Sequence, residues 1–317
     1  MRAFGASILV SLAASEAAGD FSLSFPVDCS LGSDCFIQQY VDHDPGPDSS
    51  DFTCGPLSYD GHNGTDIALL TTNAMEDGVS VLASAAGLVA GVRDGEPDTG
   101  LSGLTPGKEC GNGVAIDHGN GWVTQYCHLK RGSLRVVPGQ HIDTGAPIGD
   151  IGLSGKTEFP HVHVSVRHDG AIVDPFATEK NLDCGTKSGK QLWDTDIPYV
   201  PGGILSLGLS DSAPSYEAVK AGRVFEPAPT RNTSALVLYS HMFGTQASDT
   251  LTLRLVWQGK SIFEQEIALD RMQARSFRAF GRKKPDSGWP AGNYQGMAIL
   301  ERGGEAISQK LIHFEIR

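Results

Sequence analysis

Residues 113–129, with the sequence GVAIDHGNGWVTQYCHL, decide the fold class. Two runs of alternating apolar and polar residues flank the segment HGNG, whose Gly and Asn residues are typical of the turn in a β-hairpin. The alternation predicts that Trp122, Thr124, Tyr126 and His128 share one face of the second strand. We therefore expect a β-rich domain around this hairpin.

The same pattern extends along the chain and divides it. Short alternating runs separated by Gly-containing turns begin near Val79, and residues 180–212 lose the alternation and gain Gly, Pro, Ser and Asp. Beyond them, runs such as DTLTLRLVW recur about every 8–12 residues, which is typical of a sandwich or a barrel. The sequence predicts an all-β protein with a β-sheet domain at 20–180, a linker at 181–212 and an immunoglobulin-like β-sandwich at 213–317.

The N-terminus and the cysteines predict export. Residues 1–19 place one Arg before an apolar run that ends in small residues, as in a signal peptide, and no later run is long enough to span a bilayer. A buried N-terminal helix or strand is the alternative. Six cysteines are expected to form disulfides in an oxidising compartment, and Cys110 and Cys127 flank the hairpin so that a bridge across it is feasible.

The charge is unevenly distributed. Residues 1–212 carry 11 Lys and Arg against 27 Asp and Glu, a net charge of −16, whereas residues 213–317 carry 14 against 10, a net charge of +4. An acidic front part argues against nucleic acid as the main partner, because neutralisation of phosphates supplies most of that affinity. The mildly basic tail suits an anionic wall polymer, although a mixed solvated surface is the preferred explanation.

Three segments carry residues that suit a catalytic metal, which takes about three nitrogen or oxygen ligands and a water. The first is HNGTD, in which Gly64 gives the backbone room for His62 and Asp66 to converge. Taken alone, such a pair is usually a surface or turn feature. The second is PHVHVSV at residues 160–166, where the period of a strand puts His161 and His163 on one face.

The third segment, YCHL, ends a strand with His128, which in isolation reads as a core histidine. In chain order, the parts HNGTD, AAGLVAGVRD, GNGVAIDHGNGWVTQYCHL, PGQHIDTGAPIGDIGLSGKT and PHVHVSV span roughly residues 58–177. Together they resemble the lysostaphin/LytM-type zinc endopeptidases, which have the duplicated-hybrid-motif fold. Val162 and Val164 depart from the family's usual Leu and aromatic residue, at positions that face away from the predicted metal. Residues 95–108 are a stretch that many relatives lack, so substrate preference is not carried over.

The resemblance implies that His62, Asp66 and His163 bind Zn²⁺, while His128 and His161 assist the chemistry. His161 would accept a proton from water, and His128 would steady the oxyanion or protonate the leaving amine. The implied substrate is a peptide of bacterial peptidoglycan, in the periplasm or outside the cell. The alternatives are a protease of Gly-rich proteins, a wall-binding regulator of other hydrolases, and a surface adhesion protein.

Overall fold

The computed structural model describes residues 21–178, 190–222 and 228–317. The predicted signal peptide and part of the predicted linker lie outside these residues. Within them the protein is nearly all β, as the sequence predicted. None of the described helices has the length and apolar character needed to cross a membrane.

The first part of the chain forms an eight-stranded antiparallel sheet. Seven of its strands follow the order β1-β2-β9-β6-β5-β4-β7, and the eighth, β10, pairs with β9. A separate pair, β3 and β8, packs beside it, and a short helix α1 (Thr72–Asp77) follows β2. The strand bounds are β1 (Cys35–Gln39), β2 (Thr65–Leu69), β3 (Ser80–Leu82), β4 (Gly87–Arg93), β5 (Asn112–Gly119), β6 (Trp122–Leu129), β7 (His141–Ile142), β8 (Pro147–Asp150), β9 (His161–His168) and β10 (Ala171–Val173).

The alternation of apolar and polar residues along β9 separates the two faces of the sheet. In β9, Val162, Val164 and Val166 are all buried in one core, together with Tyr126 of β6. The opposite face of β9 carries the histidines, because successive side chains of a strand point to opposite faces. A buried apolar face therefore holds the polar face of β9 in the middle of the sheet, between β2 and β6.

The C-terminal part contains two sheets, with the orders β11-β12-β15 and β14-β13-β16-β17. Both contribute to one core, through residues such as Leu236 and Leu238 from the first sheet and Leu253 and Leu255 from the second, so they pack as a sandwich. Its elements are β11 (Gly203–Ser210), α2 (Tyr216–Ala221), β12 (Ala235–Thr245), β13 (Thr250–Trp257), β14 (Lys260–Ala268), β15 (Gln273–Lys283), β16 (Gly292–Arg302) and β17 (Glu305–Ile316). The immunoglobulin-like topology stays a prediction.

The range predicted as a linker contains ordered structure. Strand β11 lies inside it and pairs with β12, and Trp193 and Ile197 are buried in the first core. Sequence reasoning missed β11 because Gly and Pro surround and interrupt it, although Leu205, Leu207 and Leu209 do alternate with small residues. The missing side chain of Gly208 makes room for the ring of Tyr239, which would lie 2.2 Å from a Cβ at this position.

The two parts of the chain are in contact. Phe36 and Ala68 from the first sheet form a small apolar cluster with Leu205 and Phe243 from the second part. The rings of Phe36 and Phe243 lie 4.5 Å apart. The sandwich therefore packs against the edge of the sheet that carries the histidines.

Candidate metal centre

His62, Asp66 and His163 converge at the centre of the large sheet. Asp66 of β2 is paired directly with His163 of β9, so their side chains leave the same face. His163 Nδ1 lies 2.8 Å from Asp66 Oδ1 and 3.1 Å from His62 Nε2, and His62 Nε2 lies 3.2 Å from Asp66 Oδ1. One ligand atom from each side chain therefore surrounds a common point.

The far sides of the two imidazoles are held by hydrogen bonds. The Nδ1–H of His62 donates to the carbonyl of Tyr40 at 2.6 Å, and the Nε2–H of His163 donates to Asn63 Oδ1 at 3.1 Å. His163 Nε2 also lies 3.0 Å from the hydroxyl oxygen of Ser165. These bonds turn His62 Nε2 and His163 Nδ1 toward Asp66. Without a cation these nitrogens share protons with the carboxylate, and a bound cation would replace those protons and take up both nitrogen lone pairs.

Asp66 is ionised in this setting. Its burial opposes the negative charge, but the imidazoles of His62, His161 and His163 outweigh that effect and hold the pKa of Asp66 well below its usual range. Its side chain is only 7% exposed. The centre therefore offers one permanent negative charge to a bound cation.

Gly64 makes the convergence of these side chains possible. A Cβ at Gly64 would lie 2.6 Å from His163 Nε2 and 2.7 Å from the carbonyl oxygen of Val164. The sequence pointed to backbone freedom at this glycine. The structure gives a different reason, because the backbone of residue 64 passes directly over the imidazole of His163 and only a hydrogen fits between them.

His161 stands next to the three converging side chains. Its Nδ1–H donates to the carbonyl of Phe159 at 2.8 Å, with Thr157 Oγ1 at 3.1 Å, and its Nε2 lies 3.5 Å from Asp66 Oδ1. The hydrogen bond to a carbonyl fixes the tautomer, since a carbonyl can only accept. His161 therefore presents an unprotonated Nε2 to the centre.

His128 reaches the same space from β6. Its ring centroid is 4.7 Å from that of His161 and 6.1 Å from that of His163. Its Nδ1–H donates to the carbonyl of Ser154 at 2.8 Å. As with His161, the nitrogen left without a proton is Nε2. All five predicted site residues are thus brought together on one face of the sheet.

One expectation about β6 is wrong. Thr124 and Tyr126 share a face, and the Tyr126 hydroxyl accepts hydrogen bonds from Thr124 Oγ1 and the Ser84 amide inside the core. Strict alternation would put His128 on that same buried face. Instead, His128 has a left-handed backbone with φ 65°, which breaks the alternation at the strand end and turns its imidazole toward His161.

Burial keeps His128 and His161 neutral. It lowers the pKa of His128 to about 3, with a further contribution from neighbouring imidazoles, and it also lowers the pKa of His161. Both side chains are therefore uncharged near neutral pH. Each presents an unprotonated Nε2 to the centre, and the lowered pKa opposes protonation of that atom at rest.

A groove of about 230 Å³ opens over the centre. Side chains of β6 and β9 line it, namely Gln125, Cys127, His128, His163, Ser165 and Arg167. The other lining residues are Tyr59, Asn63, Glu109, Cys110 and Lys156. The predicted bridge between Cys110 and Cys127 is confirmed and lies in this wall, and a second disulfide joins Cys29 to Cys35.

Sequence reasoning missed the groups that orient the histidines. The carbonyls of Tyr40, Ser154 and Phe159 carry no signal, because every residue has a carbonyl. Asn63 and Ser165 did offer one. Asn63 directly follows His62, and Ser165 continues the period of two that places His161 and His163 on one face.

Two histidines and a carboxylate that could hold a metal in a groove, with two further imidazoles beside them, are typical of the class of metal-dependent hydrolases. Residues 60–175 match the model of peptidase family M23, and this segment is an M23 peptidase domain, which confirms the resemblance to the lysostaphin/LytM-type peptidases.

Two curated proteins are among the relatives. Peptidoglycan DD-endopeptidase ShyA of Vibrio cholerae is 34% identical over 102 residues, which cover 32% of this chain and 19% of that protein. Cell division protein DipM of Caulobacter vibrioides is 34% identical over 64 residues, which cover 20% and 10%. The chain thus spans less than a fifth of either relative. A crystal structure of a zinc-containing peptidase from Vibrio cholerae aligns with a TM-score of 0.34 and 25% identity, covering 48% of this chain and 39% of that one.

Proposed function

We propose that the protein is a zinc-dependent endopeptidase that hydrolyses peptide bonds of bacterial cell-wall peptidoglycan. The observation that carries this proposal is the convergence of His62 Nε2, Asp66 Oδ1 and His163 Nδ1 within 2.8–3.2 Å of one another. The M23 domain and the relative named as a peptidoglycan DD-endopeptidase support the reaction and its substrate class. In this proposal residues 20–180 are catalytic and residues 213–317 are accessory.

The three donors suit zinc. Tetrahedral zinc with nitrogen and oxygen ligands at close to 2 Å separates its ligand atoms by about 3.3 Å. The observed separations of 2.8–3.2 Å are slightly shorter, so a small outward movement of the side chains accommodates the ion. Three protein ligands also leave a position for substrate or water, as catalytic zinc sites do.

When bound, zinc supplies Lewis acidity that polarises the peptide carbonyl and makes water a stronger acid. The remaining steps use residues of the chain. His161 accepts the proton of the attacking water at Nε2, because its Nδ1–H is committed to the carbonyl of Phe159. The resulting imidazolium is stabilised by Asp66, whose carboxylate oxygen lies 3.5 Å away.

The proton then returns to the leaving amine. The imidazolium of His161 is one donor, and His128, whose ring centroid lies 4.7 Å away, would be the other if His161 first passed the proton to it. In its resting state His128 has only Nδ1–H, which donates to the carbonyl of Ser154, so it would steady an oxyanion only after that transfer. The low pKa of His128 opposes the transfer, so His161 is the main proton donor in this proposal.

Export of the protein to the periplasm or the medium is part of the proposal. The disulfides Cys29–Cys35 and Cys110–Cys127 support it, because such bonds persist in oxidising compartments. Peptidoglycan lies in the same compartments. The location and the substrate therefore agree.

The test is mass spectrometry of purified peptidoglycan after incubation with the zinc-loaded protein. New peptide termini are expected, and the ends that appear identify the bond. A His163→Ala variant, which lacks one ligand, should release none. Bound zinc without any new termini would contradict the proposal and favour a regulator that binds the wall without cleaving it.

A further inference from the structure

Arg167 lines the groove beyond the predicted metal ligands. It lies on β9 four residues after His163, and the alternation of the strand places both side chains on one face, with Ser165 between them. Arg167 and His163 line the same groove. The roles predicted for His62, Asp66, His128, His161 and His163 assign no function to Arg167.

The guanidinium is held in place by a neutral partner. Its Nη1–H donates to Gln125 Oε1 at 3.0 Å, and Gln125 is the residue of β6 that pairs with Ser165. The arginine is thus directed back along the groove toward the centre. A guanidinium has five N–H donors, and this hydrogen bond uses only one of them.

Among the described residues, no carboxylate lies within ion-pair distance of Arg167. Arg135 and Arg302 do have such partners, since Arg135 pairs with Asp150 at 2.7 Å and Arg302 with Asp249 at 2.8 Å. Arg275 also lacks a carboxylate, but it donates to two neutral acceptors, Gln38 Oε1 and the carbonyl of Leu69, and it does not line the groove. The front part of the chain is strongly acidic, so an uncompensated arginine in its groove stands out. A half-buried guanidinium without a counter-charge is a favourable position for binding an anion.

The other cation of the groove differs in this respect. Lys156 is exposed, and its charge acts on Glu109, whose pKa is lowered by backbone hydrogen bonds and by Lys156 among others. Lys156 therefore has an acidic neighbour that belongs to the protein. Among the described residues, the hydrogen-bond partner of Arg167 is the neutral Gln125.

We propose that Arg167 binds a carboxylate group of the substrate peptide close to the bond that is cleaved. Residues 163 and 167 are about 13 Å apart along an extended strand, and the hydrogen bond to Gln125 brings the guanidinium nearer than that. The carboxylate therefore lies within about one or two peptide residues of the scissile amide. This inference rests on the proposed peptidase function and adds a substrate class to it.

Binding of a substrate carboxylate by Arg167 would select one kind of peptidoglycan cross-link over another. In a direct cross-link made through a diamino acid, the carbon attached to the scissile nitrogen also carries a free carboxylate. A cross-bridge made only of glycine has no carboxylate near the bond. Arg167 therefore strengthens binding of the direct cross-link and does not strengthen binding of the glycine cross-bridge.

The experiment compares two synthetic cross-linked peptides that differ in one group. The carboxyl beside the scissile nitrogen is free in one peptide and a carboxamide in the other. The zinc-loaded protein is expected to prefer the acid by about tenfold or more in kcat/KM, since hydrogen bonds to a charged group are worth more than neutral ones. Equal rates on both peptides would overturn the inference while leaving the peptidase function intact.

Arg167→Gln should abolish this preference by slowing cleavage of the acid alone, whereas the Lys156→Gln control should keep it. Binding of both peptides to a zinc-loaded His161→Ala variant separates recognition from turnover. Tighter binding of the acid supports the carboxylate site even if no peptide is cleaved, in which case only the proposed function fails. Equal binding of acid and amide by that variant overturns the site.

Discussion

The guanidinium of Arg275 in β15 lies 4.3 Å from the ring centroid of Phe159, whose carbonyl accepts the hydrogen bond that orients His161. Arg275 is only 5% exposed. It also donates to Gln38 Oε1 at 2.9 Å and to the carbonyl of Leu69 at 3.0 Å. A residue of the C-terminal sandwich thus holds the segment that fixes a predicted catalytic histidine.

Replacing Arg275 is expected to impair turnover more than substrate binding. In Arg275→Met the cation over Phe159 is lost and two acceptors are left unpaired, so the loop that orients His161 shifts. We expect kcat to fall about tenfold or more, because misplacement by a fraction of an ångström is costly in catalysis. Zinc content and KM should change little. Steady-state kinetics and metal analysis measure these quantities.

The matched control for Arg275 is Arg278, three residues further along the same strand. Arg278 is half-buried and donates to the carbonyl of its own neighbour Phe277, without contact to Phe159 in the described structure. Arg278→Met should leave kcat unchanged. Arg275→Lys keeps the charge and should recover part of the rate. A uniform loss of stability with normal kcat in Arg275→Met would rule out a positioning role.

Gly64→Ala is expected to abolish zinc binding while the fold persists. The added methyl group would meet His163 Nε2 at 2.6 Å, so the imidazole must leave its place. Zinc per protein, measured by atomic emission, should fall well below one. Gly91→Ala in β4 is the control, because nothing lies within 4 Å of its Cβ position. Full zinc occupancy in Gly64→Ala would show that His163 is not held as described.

The disulfide Cys110–Cys127 is expected to support both stability and turnover. It closes 17 residues, and its removal by Cys110→Ala with Cys127→Ala should lower the free energy of unfolding by about 3 kcal/mol. The carbonyl of Cys110 accepts the amide hydrogen bond of His128 at 2.8 Å, so activity should fall as well. Removing Cys29–Cys35, which does not line the groove, should affect stability alone. An equal loss of activity in both variants would contradict the link to His128.

His241 predicts a dependence of stability on pH. It is fully buried, neither ring nitrogen has a hydrogen-bond partner among the described residues, and burial together with the charges of Arg275 and Lys220 lowers its pKa from 6.5 to about 3. Between these values the unfolded state binds a proton that the folded state does not. The free energy of unfolding therefore decreases as the pH falls through this window.

The change attributable to His241 is about 2 kcal/mol between pH 7.5 and pH 5. Urea unfolding of the wild type and of His241→Leu at both pH values measures it. The variant should lose that much less stability on acidification, and it should be more stable at pH 5. Replacing the exposed His313 by Leu is the control. Parallel pH profiles for the wild type and His241→Leu would contradict the prediction.

The sequence by itself was enough to indicate the five predicted site residues and the strand, β9, that presents His161 and His163. The alternation in PHVHVSV fixes which side chains share a face, because a strand repeats every two residues whatever surrounds it. The same rule failed at His128, where a left-handed backbone breaks the repeat. Local periodicity does not encode a single residue with unusual φ at the end of a strand.

Only the tertiary structure decided how these residues act together. Asp66 and His163 are 97 residues apart and meet because β2 pairs with β9 over a buried face. The carbonyl groups that set each histidine tautomer, and Arg275 beneath Phe159, are likewise contacts between distant segments. The sequence determined which chemical groups are present, since their identity and period are local properties. Packing determined their orientation, protonation and support, because those depend on neighbours that the chain brings together only by folding.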